Sequence, residues 1–432
     1  MGPVNFLLLG QDQGQFFIPQ DQLRQVPFSR IIKMLKMSVG SRMLSVNCRR
    51  MLSQFAKTSS MFEENARLTC LHPRALIKQR SRYLTTAPYV LTQDDRRDFM
   101  AVFPDVVREI VEHDKTTPEL ANLYTKVLQY NVAGGKKLRG LTVVYSYRQL
   151  VNPEQLTPEN IRLSQILGWC VEMMQAFFVV LDDIVDESTQ RRGRPCWHQL
   201  PEVGLKAVCH ALLIEGAQYK LLKKYLSGTE AYLPILELFH SMTLLTTFGQ
   251  VLDCNTADQS QVSFDKINME RYNFITTHKT AYYTFYLPMA TAMYLAGMFN
   301  PEQHRQAKSI LVKIGRYFQV QDDYLDVFGE ETETGKDGTD IQDGKCSWLA
   351  VVALQRASPK QEKIFKEHFG KVGENHVKAI KDLYIEMGLP GLYTIYEQET
   401  YNMINTHIQQ LSAGLPHDLF FGLLDRIHKR NK

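Results

Sequence analysis

From residue 94 onward, apolar positions recur at three- and four-residue spacing, and alternating polar–apolar runs are nearly absent. FMAVFPDVVREIVEH, IRLSQILGWCVEMMQAFFVV, AVCHALLIEGAQYKLLKKYL and QAKSILVKIGRYFQVQ each bring apolar side chains round on successive helical turns. Several of these segments are apolar around most of their circumference, as central helices of a bundle are when others surround them. Breaks at Gly193–Pro195, Pro201, Gly228, Asn300–Pro301, Gly335–Gly338 and Gly388–Gly391 predict helix–helix loops. No long linker divides residues 89–432, so the pattern predicts one all-α, single-domain helical bundle of about ten helices.

Residues 1–88 lack this periodicity. They carry 13 Lys/Arg against 4 Asp/Glu, whereas the remainder carries 37 against 42. Between Gln22 and Phe62 there is no acidic residue, while arginine and lysine are interspersed with Leu, Met and Ser. That composition predicts a basic leader without a fold of its own, read as a mitochondrial transit segment. A start at an internal methionine such as Met51 or Met61 would leave the body cytoplasmic. A mildly acidic body behind a basic leader is not the profile of a nucleic-acid binder, whose positive charge lies on the folded domain. No run of about 18 uninterrupted apolar residues occurs, so no membrane span is expected. Seven cysteines without a C-x-x-C pair point to free thiols in a reducing compartment.

Acidic clusters change the picture from scaffold to chemistry. FFVVLDDIVDE runs from apolar residues straight into Asp182, Asp183 and Asp186, and FQVQDDYLDVF repeats the arrangement at Asp322, Asp323 and Asp326. In each, the first and last aspartates are i and i+4 and share a helix face. Such carboxylates repel one another unless a cation neutralises them. All-oxygen donors suit a hard divalent ion, chiefly Mg²⁺, which also takes phosphate oxygens. One cluster alone reads as a solvated helix end; two, each behind a run that should be buried, do not. The twelve-residue loop of an EF-hand is absent.

Cations accompany the carboxylates: Arg191 and Arg192 after the first cluster, Lys336 and Lys345 after the second, Lys136 and Arg139 behind a Gly pair. Arginine forks fit diphosphate oxygens, and a Gly pair before a helix start favours anions. The assembled pattern predicts two diphosphates, one bridged by metal to both clusters and one held by Lys/Arg alone. No nucleophilic triad, zinc spacing, P-loop or dinucleotide fingerprint is present.

GGKKLRG, QAFFVVLDDIVDESTQRRGRPCW, TTFGQVLD, HKTAYYTFYLP, YFQVQDDYLD and TGKDGTDIQDGKCSWL together resemble the eukaryotic farnesyl diphosphate synthases, animal and insect members above all, of the trans-prenyltransferases. The resemblance spans residues 94–432. It implies an isoprenoid-synthase-type bundle around a deep central cavity, working as a homodimer. It further implies condensation of isopentenyl diphosphate with dimethylallyl and geranyl diphosphate to farnesyl diphosphate, through an allylic carbocation. The six aspartates would bind about three Mg²⁺, or Mn²⁺ in their place, and thereby the allylic diphosphate. Arg191, Lys279, Lys336 and Lys345 would be further contacts. Lys136, Arg139, Gln175, Arg192 and Arg430 would hold isopentenyl diphosphate. Thr280 and Gln319, with Lys279, would lie near the cation, and Tyr283 near the wall. Phe177 and Phe178, one turn deeper than Asp182, would form the floor that limits product length. Asp337 beside Lys336 and Gly344 before Lys345 depart from the family pattern. The alternatives are a geranyl diphosphate synthase, and a catalytically silent regulatory paralogue.

Overall fold

The computed structural model describes residues 92–112, 116–256, 262–329, 338–412 and 414–428. The leader expected at 1–88, together with Lys336, Asp337 and Arg430, lies outside the described residues. The helices are α1 (Gln93–Ala101), α2 (Phe103–Val111), α3 (Pro118–Asn131), α4 (Leu138–Leu150), α5 (Pro158–Val185), α6 (Ala207–Leu226), α7 (Tyr232–Cys254) and α8 (Met269–Ile275). A π-helical segment (Thr276–Tyr286) leads into α9 (Leu287–Leu295), followed by α10 (Pro301–Phe328) and α11 (Trp348–Arg356). The C-terminal part holds α12 (Pro359–His368), α13 (Glu374–Glu386), α14 (Leu389–Gln409) and α15 (His417–His428). Because α1 and α2 are parted by Val102 alone, and α8 runs through the π segment into α9, these make 13 rods among the described residues. That exceeds the predicted ten because the flanking helices are short.

Helix starts follow local chemistry. Thr157 accepts from the Asn160 amide ahead of Pro158 to open α5, and Asn300 does the same from Glu302 ahead of Pro301 to open α10. These 28-residue helices each end at an Asp cluster. Helix α5 packs against α4 and α6, and α10 against the π segment. Phe99 stacks on Trp169 with ring centroids 4.6 Å apart, and the Trp169 indole N–H donates to the Phe99 carbonyl at 3.1 Å. One buried cluster surrounds α4, α5, α6 and α9; a second joins Ile275, Val320, Trp348, Phe365 and Tyr384 near the end of α10.

Among the described residues two helices, α5 and α7, are long and apolar enough to cross a membrane by length and composition alone. The apolar window of α5 is 78% buried inside the protein, that of α7 only 33%. Among the described residues the only strands form one hairpin, Gln190–Arg191 with Arg194–Pro195, in register Gln190↔Pro195 and Arg191↔Arg194. Its turn residues Arg192 and Gly193 have φ of 55° and 69°. Both being positive matches the twist of the paired strands, at a conformational cost for the arginine.

Candidate active site

The two acidic clusters meet through the loop after α10. Lys345 Nζ lies 2.7 Å from Asp186 Oδ2 on the first cluster. The Asp340 amide donates to Asp326 Oδ1 on the second at 3.0 Å, and the Lys345 amide to the Asp340 carbonyl at 3.0 Å. Asp343, between them, is raised by burial, with Asp186 and Asp326 both adding to the rise. Gly344 sits in the left-handed region at φ 67°, which explains a glycine at that departure from the family pattern.

The three aspartates of each cluster are not equivalent. Adjacent helical residues point about 100° apart, so Asp183 and Asp323 turn to the buried side while Asp182 and Asp322 stay partly exposed. Asp183 accepts from Arg191 Nε at 2.9 Å and from its Nη2 in a forked pair. Asp323 accepts the Trp348 amide and Gln319 Nε2, each at 2.8 Å. Burial pushes Asp323 above the carboxylate range, those hydrogen bonds opposing it. The six aspartates expected to bind metal thus divide into four partly exposed carboxylates and two, Asp183 and Asp323, that are buried and hydrogen-bonded to protein partners. Asp182, Asp186, Asp322 and Asp326 supply the oxygen chemistry that suits a hard divalent ion, while among the described residues no three acidic side chains are yet grouped closely enough to hold one.

Asp182 has a dense cation environment. Lys279 Nζ stands 3.1 Å away, Gln250 donates at 2.6 Å, and Arg191 lies at 4.0 Å. Burial would raise its pKa, but the ammonium groups of Lys279 and Lys345 with the Gln250 hydrogen bond hold it well below the usual range. Lys279 also pairs with Asp253 at 2.6 Å, and the carboxylates outweigh burial to keep both Lys279 and Lys345 protonated. These cations neutralise the first cluster. Lys279 and Thr280 sit on the π segment, whose wider turn is the kind of irregularity that accumulates at working sites. Thr280 Oγ1 donates to Gln319 Oε1 at 2.7 Å, which joins two residues expected near the cation into one chain ending at Asp323.

On the other side Arg139, in the first turn of α4, donates to Tyr283 at 2.9 Å and to Thr284 at 2.8 Å, its guanidinium 4.6 Å over the Tyr283 ring. Lys136 is exposed on the preceding turn, Gln175 is half-buried on α5, and Arg192 lies against Gly135. Phe177 is buried and meets Phe178 edge-on at 4.8 Å, and Phe178 approaches Tyr283 at 6.4 Å. The apolar stretch before the first cluster thus reaches the Arg139 side of the site.

Four residues escaped sequence reasoning. Gln250 and Asp253 lie in TTFGQVLD, where two polar side chains three apart on an apolar helix were the available signal. Lys137 and Glu172 form a buried pair, Nζ to Oε2 3.4 Å, with no sequence signature.

Residues 121–387 match the family model described as Polyprenyl synthetase. The chain is 56% identical over 348 residues to the farnesyl pyrophosphate synthase of Murgantia histrionica, covering 80% of this chain and 84% of that protein. It is 45% identical over 341 residues to the Homo sapiens farnesyl pyrophosphate synthase, covering 78% and 81%. The solved T. brucei farnesyl diphosphate synthase complexed with risedronate superposes with a TM-score of 0.73 at 28% identity, over 78% of this chain and 100% of that one. With two carboxylate clusters linked through Lys345 and its loop, and these relatives across the body, the chain belongs to the polyprenyl synthetase family, among its farnesyl pyrophosphate synthases.

Proposed function

We infer that this protein is a prenyltransferase that condenses isopentenyl diphosphate head-to-tail with dimethylallyl and then geranyl diphosphate, giving farnesyl diphosphate. The observation that carries the mechanism is the bridging of both Asp clusters by Lys345 and its loop, with Lys279 and Arg191 beside them. Divalent ions, Mg²⁺ in about the number of three, would be held by Asp182, Asp186, Asp322 and Asp326 and would supply charge to the departing allylic diphosphate. Arg191, Lys279 and Lys345 add fixed positive charge at the same place. Asp183 holds the Arg191 fork in position, and Asp323 orients Gln319 and, through it, Thr280. Thr280 then presents its oxygen lone pairs to the allylic cation. Lys136, Arg139, Gln175 and Arg192 hold isopentenyl diphosphate without metal, and Arg430 joins them from the C-terminal tail. The double bond attacks the cation, and the proton lost afterwards goes to the departed diphosphate, so no covalent enzyme intermediate is needed. Phe177 and Phe178 stop the growing chain.

Incubation with Mg²⁺, isopentenyl diphosphate and dimethylallyl diphosphate, followed by product sizing, tests the reading. A C15 product is expected; arrest at C10 would make it a geranyl diphosphate synthase, and no turnover a silent paralogue.

We further propose a homodimer. Val208 and Leu212 on α6, with Leu244, Phe248 and Val251 on α7, are exposed apolar side chains on adjoining helices, a face that a second copy would cover. This also accounts for the apolar character of α7 without a membrane span. Light scattering should give twice the chain mass, falling to one chain for Phe248→Glu; a monomeric wild type refutes it. Mitochondrial import through residues 1–88 is proposed from their charge alone, and a fluorescent fusion of that segment that stays in the cytosol would refute it.

A further inference from the structure

Lys137 is a buried lysine that neither the metal clusters nor the expected phosphate contacts use. Its side chain is 2% exposed, and its backbone caps α4 in the left-handed region at φ 55°. For a residue with a side chain that conformation costs about 1–2 kcal/mol, so surrounding contacts must hold it. Nζ donates to the carbonyls of Val132 and Gly134 and lies 3.4 Å from Glu172 Oε2. The other Glu172 oxygen accepts the Gly140 amide at 2.8 Å, and the Trp169 ring centroid is 5.3 Å from Nζ. Arg96 Nη2 donates to the Gly135 carbonyl at 3.1 Å.

Two consecutive carbonyls, of Gly134 and Gly135, are therefore anchored by cations. In a trans peptide the N–H points opposite to the C=O. The Gly135 and Lys136 amides consequently face away from those anchors, and among the described residues neither meets a protein acceptor. Arg192 lies flat against Gly135, its Cζ 2.7 Å from where a Cβ would stand, while Lys136 and Arg139 flank the turn. Successive outward amides beside three cations make a concave anion seat.

We propose that Lys137, with Glu172 as its counter-ion, is a positioning residue that shapes the Gly134–Lys136 turn into the seat for the diphosphate of isopentenyl diphosphate. This rests on the reading above that Lys136, Arg139 and Arg192 hold that substrate. Lys137 acts through the turn and does not touch the ligand. Its own charge is cancelled by Glu172, so its contribution is the fixed direction of the Gly134 carbonyl and hence of the Gly135 amide, with Arg96 fixing the next peptide. Burial lowers the Lys137 ammonium to about 8, with Glu172 opposing and the nearby Arg192 and Arg96 adding to the fall. Loss of its proton above that pH removes the charge that strengthens its bonds to the Val132 and Gly134 carbonyls and loosens the turn.

The test compares wild type with Lys137→Gln in two ways. Steady-state kinetics give kcat and the KM of each substrate; calorimetry of inorganic diphosphate in EDTA reads the metal-free seat without turnover. Losing one charge-assisted hydrogen bond predicts a KM for isopentenyl diphosphate about tenfold higher and similarly weakened diphosphate binding. The KM for geranyl diphosphate and kcat should stay within about twofold. In wild type, the ratio of the two KM values should climb as pH crosses 8, and in Lys137→Gln it should be high and flat. An unchanged KM for isopentenyl diphosphate, or both KM values and kcat shifting together, overturns the proposal. If Lys137→Gln does not fold, Glu172→Gln, which keeps an oxygen for the Gly140 amide, must show the same selective rise or the proposal falls. Wild type that binds diphosphate in EDTA but makes no prenyl product would sink the activity and leave the seat standing.

Discussion

Replacing Asp323 by Asn separates a metal ligand from a residue that orients others. In the native chain Asp323 accepts from Gln319 Nε2 and from the Trp348 amide, each at 2.8 Å, so Gln319 must turn its carbonyl to Thr280. An asparagine retains one acceptor for the Trp348 amide, and its NH₂ then confronts the NH₂ of Gln319. Gln319 relieves that clash by flipping, which aims its amide at Thr280 and makes the hydroxyl an acceptor. The Thr280 proton is then driven toward the reacting cation in place of the lone pairs. A hydrogen bond to a charged group is worth about 1.5–3 kcal/mol, or roughly ten- to hundredfold in rate if the full amount is felt in the transition state. Single-turnover condensation with geranyl diphosphate should slow by that factor. Mn²⁺ affinity, read by electron paramagnetic resonance, should stay within about twofold, because the Asp323 oxygens already face Gln319 and Trp348. A large loss of Mn²⁺ affinity, with the rate restored at high metal, would refute this reasoning and return Asp323 to the ligand set.

Phe177→Ala combined with Phe178→Ser should yield products longer than C15 by chromatography, at a stability cost of up to about 3–5 kcal/mol for the buried ring; an unchanged C15 product would remove the floor role. Gly249→Ala would set a Cβ 2.2 Å from the Lys279 backbone nitrogen, so α7 and the π segment must separate. The resulting overpacking costs about 1–3 kcal/mol or more, and both Tm and kcat should fall; wild-type values would refute the close approach. Arg191→Lys removes the fork that holds buried Asp183 and should cost about 1.5–3 kcal/mol in Tm and rate measurements together. A neutral outcome would mean that charge alone suffices there.

The helical class and the Asp clusters were legible in the sequence because both are short-range patterns. Apolar spacing of three and four residues specifies a helix face, and carboxylates at i and i+4 specify a cluster on it. The division of labour within each cluster was implicit too, since a rotation of about 100° per residue turns Asp183 and Asp323 away from their neighbours. The sequence alone had no means of telling which side was buried. Only tertiary structure decided the rest, because electrostatic partners are chosen by distance in space. Lys279 reaches back 97 positions to Asp182, Lys345 reaches 159 to Asp186, and Arg139 reaches 145 forward to Thr284. Asp253 and Gln250 on α7, and the buried Lys137–Glu172 pair, become chemistry only when packing brings these helices together. Low dielectric and excluded water then give those pairings a strength they lack in the extended chain.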